Sequence, residues 1–355
     1  MNKELLFQLY SIHSPSGREK KMRKFLRSQA EECGAQSIVT DTWGNLLITK
    51  GVSDTYPCLA AHMDQVQMNH SKDFAVVQIG DDVLGWSSKS HAPQGLGADD
   101  KNGIFICLEC LRKYDAIKVA FFVEEETGCG GSRNVGLDFF SDCRFIVQPD
   151  RRGGRDLITS MFSGDVCSDD FIRAIGADQF GYTPEHGSIT DVGELVERGV
   201  GISCLNLSCG YYDAHTDRET TRLSELQNCL DFVQHIVENV TDVYPFVQES
   251  CYEYPLYGRS RYMHTDYWGR NNGADDYTMM EWILEQDPDI SFEEIKNEWA
   301  MNFYTRSFVE LRSIYNDVKS YMFPDEDYWG EDAFENLSTD SARKVSDLKP
   351  NKKKK

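Results

Sequence analysis

Two histidines and a scattered set of carboxylates are the residues of this sequence best placed to do chemistry: His62, Asp99 or Asp100, Glu124 to Glu126, Asp150 and His215. The three glutamates follow an apolar, β-rich run from Ile117 and lead into Thr127-Gly128-Cys129-Gly130-Gly131. Adjacent carboxylates disfavour one another's ionisation unless a cation lies near, so at a strand's carboxyl end they point to metal binding or acid/base work. For that stretch alone, a solvated acidic turn is the bland alternative. His62, Asp150 and His215 also fall shortly after strand-like stretches, and Asp99-Asp100 stands just before a helix start. In a parallel sheet such ends share one edge, where open α/β sheets bind ligands. Two imidazoles with three or four carboxylates suit zinc, with manganese or cobalt as alternatives. Five ligands are too many for one tetrahedral ion; with one bridging carboxylate they match two divalent ions about 3.5–4 Å apart that clamp and ionise a water.

The elements needed to position these groups are legible in the hydrophobic pattern. A short helix runs to Ser14-Pro15-Ser16-Gly17, and a second, Arg18 to Cys33, carries Met22, Phe25, Leu26 and Ala30 on one face. Residues 37–50 read as two strands turning at Thr42-Trp43-Gly44-Asn45, and Tyr56 to Ala61 as a strand running into His62. Residues 74–86 suggest a hairpin, and Gly103 opens an apolar helix through Leu111. Strands follow at 117–123, 143–147, 157–161 and 201–207, with helices at 167–175, 191–197 and 223–237. This alternation, with several uninterruptedly apolar strands, predicts an α/β fold: a mostly parallel mixed central sheet with helices on both faces.

Composition sets the limits. The 355 residues carry a formal net charge of -21 and a pI near 4.8, which disfavours nucleic acid and anionic membranes as partners, since both are bound through clustered Lys and Arg. Neither a signal-peptide hydrophobic region nor a bilayer-spanning apolar run is present, so a cytoplasmic location is expected. Eleven cysteines, an odd number spread through the elements, read as reduced core residues, Cys107 and Cys110 included. Near Gln248 the composition shifts: residues 251–340 hold 20 Asp/Glu against 7 Lys/Arg and are rich in Tyr and Trp. The expected organisation is a catalytic domain at 1–248, an acidic, aromatic-rich helical appendage at 249–340 and a disordered Lys-rich tail at 341–355. In the appendage, Ser291 and Glu294 form a capping box for a helix through Ile295, Trp299 and Phe303.

Taken in order, His62-Met63-Asp64, Gly97-Ala98-Asp99-Asp100-Lys101-Asn102-Gly103, Glu125-Glu126-Thr127-Gly128, Gln148-Pro149-Asp150 and Asp213-Ala214-His215-Thr216 resemble the ligand motifs of the co-catalytic dizinc exopeptidases. That superfamily includes tetrahedral and glutamyl aminopeptidases, secreted bacterial leucyl aminopeptidases, peptidase T and acylase-like carboxypeptidases. The resemblance spans roughly residues 5–240, and Gly187-Ser188-Ile189-Thr190-Asp191 is most similar to the tetrahedral branch. It implies one metal held by His62, Asp99 and Asp150, and another by Asp99, Glu126 and His215. It also implies Glu125 as general base, Asp64 orienting His62, and Asp191 orienting His215.

Other groups near these motifs have weaker claims. Asp100 competes with Asp99 for the bridge, though the family pattern favours Asp99, and Glu124 reads as a solvated neighbour. His91 and His186 lie in loops leading toward the site. Arg151, Arg152 and Arg155 follow a ligand; Arg152 and His186 are candidates to touch substrate. The gaps of 36 residues between His62 and Asp99 and of 64 between Asp150 and His215 leave no room for the inserted lid domain of many relatives. The function expected is a two-metal aminopeptidase acting on short peptides. The alternatives are a deacylase or carboxypeptidase for acyl-amino-acid substrates, or a scaffold protein with a vestigial peptidase domain. The C-terminal region reads equally as a packing appendage, an active-site cover or an assembly surface for an oligomer or protein partner.

Overall fold

The computed structural model describes residues 1–161 and 163–248 and, beyond them, 280, 283–284, 290–298, 311–312, 314–316 and 319. The chain divides into two compact units, Met1–Gly273 and Ala274–Lys355.

The first unit opens with helices α1 (Lys3–Tyr10) and α2 (Lys20–Glu32), then strands β1 (Ser37–Thr40), β2 (Leu46–Lys50), β3 (Tyr56–His62), β4 (Phe74–Ile79), β5 (Asp82–Ser87) and β6 (Ala92–Gln94). Helix α3 (Ala98–Lys113) precedes β7 (Ile117–Phe122), α4 (Gly130–Asn134), β8 (Cys143–Arg151), β9 (Asp156–Met161), β10 (Gly164–Asp165), α5 (Asp169–Ala174) and β11 (Thr183–His186). The unit continues with α6 (Asp191–Glu197), β12 (Cys204–Ser208), β13 (Tyr211–Tyr212), β14 (Thr220–Arg222) and α7 (Leu223–Asn239).

The main sheet runs β1-β2-β7-β3-β8-β12-β9-β10, with β11 also paired to β9. Its centre, β7-β3-β8-β12, is parallel, and its flanks are antiparallel apart from the parallel β9–β11 pair. Because strand side chains alternate between faces, the central strands bury both. Leu59 and Ala61 of β3, with Val119 and Phe121 of β7, join the core under α1, α2, α3 and α7. Cys58, Ala60, Ala120 and Phe122 point the other way, onto Val192, Leu195 and Val196 of α6. The interleaved cysteines are free and, Cys33 apart, buried among the described residues.

A second, five-stranded sheet, β13-β14-β5-β4 with β6 on β5, was not read from the sequence beyond its β4–β5 hairpin. Three of its strands, β4, β5 and β6, fall between His62 and Asp99, and β13 and β14 join them from the segment around His215. The strands β13 and β14 are two and three residues long, too short for an alternation to register.

In the second unit the Ser291–Glu294 capping box forms: Glu294 N–H donates to Ser291 Oγ at 3.3 Å, and Ser291 N–H to Glu294 Oε2 at 2.9 Å. It starts α8 (Phe292–Glu298). Phe292 and Ile295 pack with Met280, Ile283, Leu284, Ile290, Leu311, Ile314 and Tyr315. Trp299 and Phe303, expected on the same helix, lie outside the described residues.

Candidate metal centre

Parallel strands bring the separated residues together. β3 ends on His62, opposite Phe122 at the end of β7, and β8 carries Asp150 near its carboxyl end. Asp99 arrives from the other side. Asp99 and Asp100 have non-helical backbone angles, so α3 becomes regular only from Lys101. Gly103 allows the close approach: a Cβ there would lie 2.5 Å from the Pro149 carbonyl and 2.4 Å from Asp100 Oδ1. His215 comes last, from the loop between β13 and β14.

Two groups of ligand atoms result, His62–Asp99–Asp150 and Asp99–Glu126–His215, each with its atoms within 4.8 Å of one another. His62 Nε2 lies 3.0 Å from Asp99 Oδ1 and 3.5 Å from Asp150 Oδ1. His215 Nε2 lies 3.3 Å from Asp99 Oδ2 and 2.9 Å from Glu126 Oε2. Asp99 thus presents one oxygen to each group. Asp100 faces elsewhere, accepting the N–H of His62 at 3.2 Å and of Gly103 at 3.0 Å, so it ties α3 to β3.

The donor set fits divalent cations. Glu126 Oε1 is buried without a hydrogen-bond partner among the described residues, and burial, with Asp99 beside it, raises the Glu126 carboxyl to about 8. Burial also lifts Asp150 to about 6. The carboxylates' demand for positive charge appears on the imidazoles: hydrogen bonds to Asp99 and Glu126 raise His215 to about 11. For His62, burial pulls downward but Asp150, Asp64 and Asp99 outweigh it. A divalent cation answers the same demand without protons.

Glu125 stands beside this cluster and outside both ligand groups. Its Oε2 is 4.0 Å from His62 Nε2, and burial raises its carboxyl well above the ordinary range. Asp64 holds the turn that carries it: Oδ1 accepts Glu125 N–H at 3.1 Å, and Oδ2 accepts Glu126 N–H at 3.3 Å and the Ser16 hydroxyl at 2.7 Å. The link from Asp64 to His62 is chiefly through its backbone carbonyl, which accepts from Nδ1 at 3.1 Å; the carboxylate is 3.4 Å away. Glu124, at φ 56, accepts Gly130 N–H through its carbonyl and is half-buried.

The role expected for Asp191 is corrected. Its Oδ2 accepts from Gln148 Nε2 at 3.0 Å, and the charges that bear on it are those of His62, Asp150 and Asp64; among the described residues no contact joins it to His215. The reason is topological: Asp191 begins α6, which packs on β8 and β12, whereas the His215 loop belongs to the second sheet.

Gln148 itself was missed. Its Nε2 also donates to Asp150 Oδ2 at 3.0 Å, while its Oε1 accepts from Thr190 Oγ1 and the Val192 N–H. Asn206, opposite Gln148 on β12, brackets the Asp150 backbone through its amide. The signal was available: Gln148 sits two residues before Asp150 in one strand, on the same face.

His186, at the end of β11, contacts Ser160 Oγ at 3.2 Å. Arg151 pairs with Asp156 and Arg155 bonds the Phe180 carbonyl, while Arg152 is exposed.

No protein-family model matches the sequence, and no curated protein matches it. Solved structures do. Aminopeptidase PepT from Bacillus cereus ATCC 10987 superposes with a TM-score of 0.57 at 15% identity, over 68% of this chain and 99% of that one. A tripeptidase from Staphylococcus aureus subsp. aureus Mu50 gives 0.55 at 14%, over 66% and 96%. An aminopeptidase from the archaeon Desulfurococcus kamchatkensis gives 0.54 at 15%, over 67% and 94%. At these identities the likeness is one of fold.

Proposed function

We propose, from the premise that this chain carries the fold of the exopeptidase superfamily its motifs resemble, that it is a metal-dependent aminopeptidase that removes N-terminal residues from short peptides. The observation that carries the reading is the pair of ligand groups meeting at Asp99, with Glu125 beside them and a member of neither. His62, Asp99 and Asp150 would hold one divalent ion and Asp99, Glu126 and His215 the other, zinc being the ion the donors suit, with manganese or cobalt as alternatives. When bound, such ions polarise a scissile carbonyl and make water acidic enough to attack at neutral pH.

The chain's own residues do the rest. Glu125 takes a proton from the attacking water on its carboxylate and returns it to the departing amine, a duty open to it because it lies outside the ligand groups. Asp64 fixes the Glu125-Glu126 turn through two backbone N–H groups, and Gln148 and Asn206 hold Asp150 in place.

The proposed catalytic domain is residues 1–248, with 249–340 a separate appendage available to a protein partner or an oligomer. A deacylase or carboxypeptidase draws support from Arg152, whose exposed side chain follows Asp150 by two residues and forms no hydrogen bond or ion pair among the described residues. Hydrolysis of aminoacyl-anilides and dipeptides with added zinc, manganese or cobalt, repeated with the amino terminus acetylated, separates the readings. An aminopeptidase loses turnover on acetylation; activity confined to acetylated substrates would overturn the assignment.

A further inference from the structure

The two ligand groups rest on different footings. His62 closes a central strand, is buried, and has its Nδ1 held by the Asp64 carbonyl. The His215 side chain is 52% exposed, its backbone sits at φ 65, and among the described residues nothing bonds its Nδ1. Ligand imidazoles are ordinarily oriented through that second nitrogen. Among the described residues, the support His215 receives besides Asp99 and Glu126 therefore comes through the backbone of its loop.

Four residues on, Glu219 is buried and reaches across to the segment before α3. Its Oε1 accepts Asp99 N–H at 3.0 Å; its Oε2 accepts Gly97 N–H and, at 3.3 Å, Gln67 Nε2. Asp217 Oδ1 accepts Gly95 N–H at 3.2 Å from the exposed rim. Every second N–H from Gly95 to Asp99 is thus taken by a carboxylate of the His215 loop.

We propose that Glu219 is a positioning residue that sets the separation between Asp99 and His215, and thereby governs binding at Asp99–Glu126–His215 while leaving His62–Asp99–Asp150 intact. This rests on the two-metal reading above. Asp99 is shared, and the selectivity follows from where its partners are anchored: His62 and Asp150 are fixed by β3 and β8, whereas His215 depends on the clamp.

Cobalt titration of the metal-stripped full chain, followed by visible absorption and by mass-spectrometric metal content, provides the test. Glu219→Gln puts an amide N–H against a backbone N–H. It is expected to bind the first ion as wild type does and the second about 10–100-fold more weakly, as for other residues that orient ligands. Excess cobalt should restore kcat. Glu219→Asp, which keeps the charge but shortens the reach, should show a smaller loss of the same ion, and it decides the matter should Glu219→Gln fail to fold. Two ions bound with wild-type affinity, or both weakened equally as for a general structural defect, would overturn the proposal. A wild-type chain that binds two ions but cleaves no peptide sinks the peptidase reading and leaves the clamp standing. One that binds fewer than two removes the basis of both.

Discussion

Replacing Glu125 with glutamine isolates the proton transfer from everything else in the site. The substitution preserves shape, keeps the backbone N–H on Asp64 Oδ1, and removes no member of either ligand group. Its side chain is 14% exposed, and the other carboxylates close by are committed elsewhere: Glu126 faces His215, Asp191 faces Gln148, and Asp64 caps the turn. With those neighbours so engaged, the loss should fall in the middle or upper part of the range for general bases, about 10³–10⁴-fold in kcat, or roughly 4–5.5 kcal/mol of barrier. The measurement is kcat on an aminoacyl-anilide, with metal content determined on the same sample. A Glu125→Gln chain with two ions bound and undiminished kcat would refute the assignment. One that has lost its metal would show that Glu125 is a ligand instead.

Three further outcomes follow from the packing. Gln148→Leu strips Asp150, Asp191 and the Val192 N–H of a shared partner, so it should cost at least about 2 kcal/mol in urea unfolding; the ion at His62–Asp99–Asp150 should bind about 10–100-fold more weakly by cobalt titration. Gly103→Ala drives a methyl into the Pro149 carbonyl and should destabilise by about 1–3 kcal/mol in the same unfolding assay. His70 stacks on His13 and Phe74 and is lowered to about 4, by burial first and then by Lys101 and His13. The unfolded chain therefore takes up this proton first: the stabilisation is whole above about pH 6.5 and drains away as pH falls toward 4. Allowing for the ring's partial exposure, its share is about 1–2 kcal/mol. His70→Phe should flatten that part of the stability profile, and an unchanged slope between pH 6.5 and 4.5 would count against it.

The central strands were legible because β3, β7 and β8 are buried on both faces and therefore read as unbroken apolar runs that end where polar residues begin. That same feature exposed the site, since in a parallel sheet the runs end on one edge. Spacing alone did not separate Asp99 from Asp100, since both precede the helix; the resemblance favoured Asp99, and their directions differ, one toward the imidazoles and one toward the His62 and Gly103 N–H groups. The mistaken partner for Asp191 has a similar origin. The partnership with His215 was carried over from the resemblance, whereas α6 delivers Asp191 to Gln148. Glu219 escaped notice because an acidic residue in a polar loop looks solvated until its burial is seen.

The Tyr10 hydroxyl, buried at the end of α1, donates to Asn102 Oδ1 at 2.6 Å and meets Thr221 Oγ1 at 2.9 Å. One phenol thus joins the first helix, the helix behind the Asp99 loop and the last short strand before α7, across separations of 92 and 211 residues. Contacts of such range make folding slow and hold its completion back until late in synthesis. A nascent chain still lacking residues 220–222 would have His62, Asp99, Asp150 and even His215 without the knot that binds their supports together. Until those residues are made, the supports of the candidate site are not tied to one another through this contact.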